Sequence, residues 1–129
     1  MALYHILDTV QIPATMRWVD EYAWSQVASS SEYSIAGSLL VDVGTRLSGQ
    51  PVTLEGTADT SWITRAALDA LYALAAVPGA TYTLTLADGR SFSTMFAPGE
   101  EPISAAQVSP LAVPPADWPY YATIRLIKV

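Results

Sequence analysis

The alternation of apolar and polar residues in the first third of the chain predicts strands joined by irregular segments. Residues 3–12, LYHILDTVQI, predict a strand that ends at Pro13, because proline cannot donate a hydrogen bond to a neighbouring strand. Residues 14–31 show no regular period and predict an irregular connection. Residues 32–45, EYSIAGSLLVDVGT, predict one long strand in which Gly37 introduces a bulge or bend.

Two segments further along the chain also predict strands. Residues 46–56, RLSGQPVTLEG, predict a turn at Ser48-Gly49 and a short strand that opens at Pro51. Residues 120–129, YYATIRLIKV, predict a closing strand. One face of this closing strand carries Tyr120, Ala122, Ile124 and Leu126.

Residues 64–80, TRAALDALYALAAVPGA, predict the one clear helix. Alanine, leucine and arginine are good helix formers, and Thr64 is a suitable N-cap. Pro78-Gly79 ends the helix, because proline cannot continue the hydrogen-bond ladder and glycine accepts the conformation of a helix stop. The stripe predicted to face the core consists of Leu68, Leu71, Tyr72 and Ala75.

The stretch TYTLTLADGRSFSTMF, residues 81–96, predicts a β-hairpin without charge along either arm. Its turn lies at Asp88-Gly89, a pair that favours a tight primed turn, and its charges, Asp88 and Arg90, sit there. An uncharged strand edge invites pairing with any other edge, so proteins usually protect it with lysine or proline. We therefore expect a neighbouring subunit to cover this hairpin, and we expect the same for the closing strand.

Residues 97–119 contain six of the nine prolines and predict an extended loop without regular structure over most of that span. One hypothesis is that this loop is an arm laid over an adjacent subunit. The alternative is that it folds back on its own sheet.

Together these elements predict a mostly-β fold of the α+β class. We expect a β-sandwich or an open barrel flanked by one α-helix. The 129 residues suit a single domain covering residues 1–129.

Composition adds an expectation about assembly. Charged residues make up 14% of the chain, against about 25% in an average soluble domain, and the mean hydropathy is +0.28. A small domain has much surface relative to its volume, so we expect other subunits to bury part of that surface. The alternative is a surface covered by serine and threonine, which are also abundant here.

The net charge of −6 argues against binding nucleic acid through its phosphates. An acidic wall would instead let a polyanion slide past without sticking, although mild acidity also aids solubility. The N-terminus lacks the basic start and apolar stretch of a secretory signal, and no apolar run approaches the roughly 20 residues that span a bilayer. We expect a protein without a membrane anchor, made in the cytosol.

The residues that usually carry chemistry are sparse. His5 is the single histidine and no cysteine is present, so we expect a structural or surface role for His5 and no metal site. The adjacent carboxylates Asp20-Glu21 and Glu100-Glu101 are predicted to be solvated loop charges. No glycine-rich phosphate loop or GxSxG motif occurs. We expect neither an enzyme nor a cofactor.

The four tryptophans and seven tyrosines raise the alternative of a small carbohydrate-binding module. Trp18 and Trp24 are the best candidates for sugar-stacking rings. The favoured interpretation is that Trp18, Trp24 and Trp62 anchor loops onto the core or onto a neighbouring subunit, since large aromatic residues dominate such contacts.

Several stretches together resemble a group of small tail proteins of tailed bacteriophages and prophages. These stretches are RWVDEYAWSQVASSSEYSIAGSLLV at 17–41, GTRLSGQPVTLEG at 44–56, WITRAALDALYALAAV at 62–77 and the hairpin at 81–96. The resemblance implies a distal tail or baseplate protein of the virion, with a tail-tube-like fold and no catalytic residues. Many distal tail proteins carry a second, carbohydrate-binding-like domain, for which this chain has no room, and that favours a pure scaffold.

The resemblance further implies a homo-oligomeric ring, with six subunits expected, that joins the tail tube protein to the baseplate hub proteins. DNA would pass through the ring without specific binding. A tail completion or terminator-like protein at the other end of the tube is the alternative. The residues predicted to lie at the subunit interface are Trp18, Trp24, Trp62, Thr83, Thr85, Phe92, Met95 and Arg125.

Overall fold

The computed structural model describes residues 4–45, 49–59, 61–98 and 101–129. Within these ranges the chain is mostly β-strand with one α-helix, which confirms the predicted fold class. The elements in chain order are β1 (Tyr4–Leu7), β2 (Val10–Pro13), β3 (Arg17–Trp18), β4 (Val27–Tyr33), β5 (Leu39–Thr45), β6 (Pro51–Glu55), β7 (Ile63–Thr64), α1 (Arg65–Ala75), β8 (Tyr82–Thr85), β9 (Ser91–Phe96), β10 (Ile103–Gln107) and β11 (Pro119–Lys128).

Nine of these strands form one antiparallel sheet. Its order is β2-β1-β8-β9-β11-β6-β3, and β7 and β10 also pair with β11. The two ends of this order, β2 and β3, are separated by residues 14–16, and the Met16 N–H donates to the Pro13 carbonyl at 3.1 Å. So short a connection requires the sheet to curl until its ends approach each other. The main sheet is therefore an open barrel rather than a sandwich of two sheets.

The core lies inside this curled sheet. Alternate residues of each strand point inward, as in β11, where Ala122, Ile124 and Leu126 are buried as predicted. The helix contributes Leu68 and Leu71, which are also buried. Each fully buried aliphatic side chain stabilises the fold by roughly 1.5–3 kcal/mol.

Helix α1 has the predicted start and end. The Thr64 hydroxyl accepts a hydrogen bond from the Ala67 N–H at 3.3 Å, which confirms the N-cap. The last turn closes with the Ala76 N–H donating to the Tyr72 carbonyl at 3.0 Å. Tyr72 departs from the predicted stripe, because its ring is half-exposed and only its hydroxyl reaches inward, to the Ile103 carbonyl.

The single strand predicted over residues 3–12 is wrong. The chain reverses at Asp8 and Thr9, so that Leu7 pairs with Val10. Asp8 has a φ of 57°, a left-handed conformation that aspartate adopts more readily than most residues, and its N–H donates to the Thr83 carbonyl. The inward-facing positions shift across the turn, from His5 and Leu7 to Val10 and Ile12. Sequence periodicity does not reveal this shift clearly, because Ile6 and Leu7 are adjacent apolar residues.

The predictions for residues 14–45 are also wrong in part. A short strand, β3, and the long strand β4 occupy the span predicted to be irregular, and β4 includes the serine run 29–31. The span predicted as one strand bends back between β4 and β5. Gly37, with a φ of 87°, donates its N–H to the Ser34 carbonyl and thereby closes a turn rather than a bulge. The turn predicted at Ser48-Gly49 lies partly outside the described residues, and β6 begins at Pro51 as predicted.

The hairpin predicted over residues 81–96 is confirmed, but its turn differs from the prediction. Leu86 accepts from the Gly89 N–H and donates to the Arg90 carbonyl, and Gly89 has a φ of 98°. Asp88 is not in the positive-φ region, which a type I′ turn requires. The connection is a three-residue loop with a glycine bulge instead of a two-residue primed turn.

The expectation that a neighbouring subunit covers this hairpin rests on its being an edge, and it is not. β8 pairs with β1, and β9 pairs with β11, so both arms have partners within the same chain. The closing strand β11 is likewise central, with β6, β7, β9 and β10 as partners. Both segments are covered by strands of their own sheet, which explains why the hairpin arms carry no charge and the closing strand carries only Arg125 and Lys128.

The Pro-rich span 97–119 is only partly irregular. β10, which contains no proline, pairs with β11, so over this stretch the chain folds back on its own sheet. The backbone of Arg125 accepts from the Ala97 N–H at 3.1 Å and donates to the Pro102 carbonyl at 2.7 Å. β9 and β10 therefore continue one another along β11.

Candidate assembly surface

The hairpin formed by β4 and β5, residues 27–45, is the region that lies apart from the barrel; we call it the arm. Its two strands pair with each other over seven residue pairs, from Val27–Thr45 to Tyr33–Leu39. They form a separate two-stranded sheet and pair with no other strand in the described part of the chain. An isolated hairpin of two strands is marginally stable in water, so the arm lacks the support that the barrel strands have.

The two faces of the arm differ in chemistry. Directly paired residues share a face, and successive residues alternate between faces. One face, which we call the apolar face, carries no charge and consists of Val27, Ser29, Ser31, Tyr33, Leu39, Val41, Val43 and Thr45. The opposite face carries polar groups that include Ser30, Glu32 and Asp42, together with Leu40.

The apolar face is open to solvent. Tyr33 is 75% exposed and Val43 is 68% exposed, whereas core residues such as Leu84 are fully buried. Val27, Leu39 and Val41 are also more than half exposed. A contiguous exposed apolar surface on a small protein marks an interaction site.

Polar contacts join the segment before the arm to residues at the start of β6. The Asp20 carboxylate accepts the Thr53 N–H at 2.9 Å and the Thr53 hydroxyl at 2.8 Å. On the returning side, the Gln50 side-chain amide donates to the Glu21 carbonyl at 3.1 Å. The prediction that Asp20 and Glu21 are merely solvated is therefore wrong, while Glu100 lies outside the described residues. These contacts hold Asp20 and Glu21 beside β6.

An ion-pair cluster joins Glu21 to the turn of the β8–β9 hairpin. The Arg90 guanidinium contacts the Glu21 carboxylate at 2.5 Å and the Asp88 carboxylate at 2.8 Å. The side-chain hydrogen bond to Glu21 raises the pKa of Arg90 above its usual value. The hydrogen bond that Asp88 accepts from the Arg90 backbone N–H lowers the pKa of Asp88.

Trp18 and Phe92, two residues predicted to lie at a subunit interface, instead pack against each other and the core. Their ring centroids are 5.6 Å apart, and the Trp18 indole N–H donates to the Pro51 carbonyl. Lys128 Nζ lies 4.4 Å from the Phe92 centroid and 5.6 Å from that of Trp18, and Arg90 lies 5.5 Å from Trp18. The alternative that Trp18 anchors a segment onto the core is therefore confirmed. With these neighbours Trp18 does not offer a free face for a sugar ring.

Four of the six remaining predicted interface residues lie on the outer face of three adjacent strands. Thr83 and Thr85 alternate with inward-facing Leu84, so they lie on the outer face of the barrel, with Thr83 exposed. The side chains of Trp24, Met95 and Arg125 are partly buried. Trp62 is 54% exposed beside helix α1, and its indole N–H donates to the Ala58 carbonyl. The structure therefore brings Thr83, Thr85, Met95 and Arg125 onto one face of β8, β9 and β11, whereas Trp24 and Trp62 lie outside these strands.

His5 has the structural role that the sequence predicted. It is buried in β1, with Nε2 3.0 Å from the Met16 carbonyl and Nδ1 2.9 Å from the Ala87 N–H. Because a backbone N–H donates to Nδ1, the ring proton sits on Nε2 and donates to Met16. Among the described residues no group of three or more His, Asp or Glu side chains is arranged to hold a metal ion.

The apolar face of the arm is the functional feature that sequence reasoning missed. A usable signal exists: two alternating runs, VASSSEY and LLVDVGT, flank the short segment SIAGS, which is the pattern of a hairpin. The serines in the first run obscure it, because serine is an uncommon strand residue. No helix in the described part of the chain is long and apolar enough to cross a bilayer.

Comparison of the chain with protein-family models, with curated proteins and with solved structures found no match.

Proposed function

We propose that this protein is a structural subunit that assembles with further copies of itself through its arm. The observation that carries this proposal is the apolar face, which has no charge and is mostly exposed over two seven-residue strands. A β-hairpin that extends from a well-packed barrel and presents aliphatic side chains to water needs a partner. The low charge content of the whole chain supports the same proposal.

The energetics favour an assembly with several contacts per subunit. Each half-exposed aliphatic side chain gains roughly 1 kcal/mol when it becomes buried. Association of two molecules costs an estimated 4–15 kcal/mol or more in lost freedom and ordering, so one arm alone gives a modest affinity. In a closed ring each subunit makes two such contacts, one on each side, and the ring holds together more firmly than a pair.

The sequence resemblance to distal tail proteins supports a more specific proposal for where this assembly acts. We place it in the virion, as a ring that connects the tail tube to the baseplate hub of a bacteriophage, with six subunits expected. A net charge of −6 suits a ring through which DNA passes without being retained.

The first experiment compares two lysine substitutions on adjacent residues of β5 by size-exclusion chromatography with light scattering. Val41→Lys places a charge on the apolar face, whereas Leu40→Lys places it on the opposite face, beside Glu32. The two side chains are similarly exposed, at 55% and 49%, so they form a matched pair. We expect oligomers for the wild type and for Leu40→Lys, and monomers for Val41→Lys at the same concentration.

A wild-type protein that stays monomeric at high concentration would contradict the assembly proposal. Equal behaviour of the two variants would contradict the role of the apolar face. For the location, electron microscopy of tails labelled with an antibody against this chain should place the label at the distal end. Label at the head-proximal end would instead support a completion or terminator-like role.

A further inference from the structure

A cleft between strand β2 and helix α1 is the feature of the barrel that best matches the arm. It has a volume of about 560 Å³, within the range of roughly 300–1,000 Å³ that accommodates sizeable ligands. We call it the acceptor cleft. Its lining includes Tyr4, Val10, Trp62, Ala66, Ala67 and Ala70.

The sequence explains why this space exists. Three alanines on one side of α1 leave room where larger helix residues would fill the gap, and the rings of Tyr4 and Trp62 wall the cleft while remaining about half exposed. β2 ends the strand order of the main sheet, so its outer edge has no strand partner among the described residues. The cleft therefore combines open apolar volume with an unpaired strand edge.

The acceptor cleft and the apolar face agree in chemistry. No charged side chain lines the cleft, and none lies on the apolar face. A smaller cleft of about 220 Å³ is lined by Arg17, Glu21, Asp88 and Arg90, and covering it with aliphatic residues would remove charges from water at a cost. Two further uncharged clefts, of about 210 and 170 Å³, are much smaller.

The size of the arm also fits a protein interface. Stable interfaces use about 20–30 residues on each side. The apolar face supplies eight residues toward one side, and the rims of the cleft extend the other. Both surfaces are open in the same molecule, so the arm does not occupy its own cleft.

We propose that the acceptor cleft of one copy receives the apolar face of the arm of a neighbouring copy. This inference rests on the proposed function and names the surface that the arm binds. Because donor and acceptor surfaces differ, each subunit both gives an arm and receives one. Such head-to-tail contacts generate rings when the rotation between subunits closes, rather than stopping at a pair.

A mixing experiment tests this arrangement. Val41→Lys gives a chain with a defective arm and an intact cleft. Ala66→Arg gives a chain with an intact arm and a blocked cleft, because Ala66 is an exposed residue of the lining. Each variant alone should be monomeric by light scattering, and an equimolar mixture should form heterodimers that grow no further.

Two controls protect the interpretation. Ala76→Arg introduces the same side chain at an exposed position roughly 15 Å further along the helix, outside the acceptor cleft, and should assemble like the wild type. Trp62→Ser is a second cleft variant that should behave like Ala66→Arg. Circular dichroism and thermal unfolding should show that each variant keeps the fold.

If the wild type forms oligomers but the equimolar mixture of the two variants stays monomeric, the assembly proposal still stands, while the proposal that the cleft receives the arm is wrong. Continued self-association of Ala66→Arg alone would also overturn it, because the arms would then pair with each other. A monomeric wild type would contradict the proposed function itself.

Discussion

Two hairpins of this protein have a similar local design and opposite surroundings. The β8–β9 hairpin and the arm each carry aliphatic and aromatic side chains on one face, and each turns at a glycine of positive φ, Gly89 or Gly37. The first lies between β1 and β11, with Leu84 fully buried. The second has no other strand beside it within the described ranges, and Leu39 is 55% exposed. A hairpin with little charge must be covered, but its sequence does not say whether its own chain or another one covers it.

The largest effect expected from this comparison is on stability. Leu84→Ala should lower the free energy of unfolding by about 2–5 kcal/mol, because it removes buried methyl groups and leaves a cavity. The matched change Leu39→Ala should cost less than about 0.5 kcal/mol in the monomer, since that side chain is already half in water. Denaturant unfolding at low protein concentration measures both. Similar losses for the two variants would mean that the arm packs against its own barrel.

Removal of the His5 ring should have the next largest effect. His5→Ala leaves the Met16 carbonyl and the Ala87 N–H without their partner beside the β8–β9 turn. A buried polar group without a hydrogen bond costs about 1–3 kcal/mol, so we expect a total loss of about 2–4 kcal/mol in the same unfolding assay. A change below about 1 kcal/mol would show that water replaces the ring at both groups.

The two turn glycines give a smaller and more selective test. A left-handed conformation costs a residue with a Cβ about 1 kcal/mol, and neither Gly89 nor Gly37 has atoms that would obstruct a methyl group. Gly89→Ala should therefore lower global stability by about 1 kcal/mol. Gly37→Ala should leave global unfolding unchanged and weaken assembly instead, as measured by light scattering. If both variants lowered the unfolding midpoint equally, the arm would fold as one cooperative unit with the barrel.

The smallest effect concerns pH. The pKa of Asp88 is lowered in the folded protein, so its ionised form adds stability that is present above the unfolded pKa, about 3.8, and is lost as the pH falls through the folded pKa. The wild type should exceed Asp88→Asn in Tm at neutral pH, and the difference should shrink in more acidic buffers below about pH 4. If the Tm difference between the wild type and Asp88→Asn grew in acid, it would contradict the lowered pKa of Asp88.

The elements that local signals specify were predictable from the sequence. Thr64 and the run of helix formers define α1, and alternation defines β8, β9 and β11. Asp8 shows the limit of such signals, because adjacent apolar residues such as Ile6 and Leu7 hide the shift in alternation that the turn at Asp8-Thr9 introduces.

Pairing between distant segments was not predictable, since it depends on which edges meet in space. Nothing in the residues of β11 indicates that it lies in the middle of the sheet. For the same reason the sequence made the Pro-rich span 97–119 a candidate for an arm. In the structure, the segment that lies apart from the barrel is instead the hairpin of residues 27–45. The environment of Trp18 could be predicted only from the fold, because its neighbours Phe92, Lys128 and Arg90 lie far away in sequence.

Hydrogen exchange of backbone amides, followed by mass spectrometry at low and high protein concentration, tests most directly whether the arm is covered by another copy. Amides of β8 and β9 should be strongly protected at both concentrations, because their partners belong to the same chain. Amides of β4 and β5, together with those of β2 and α1 around the acceptor cleft, should gain protection only at the concentration at which oligomers form. Arm amides that exchange equally fast in the monomer and in the oligomer would contradict this account.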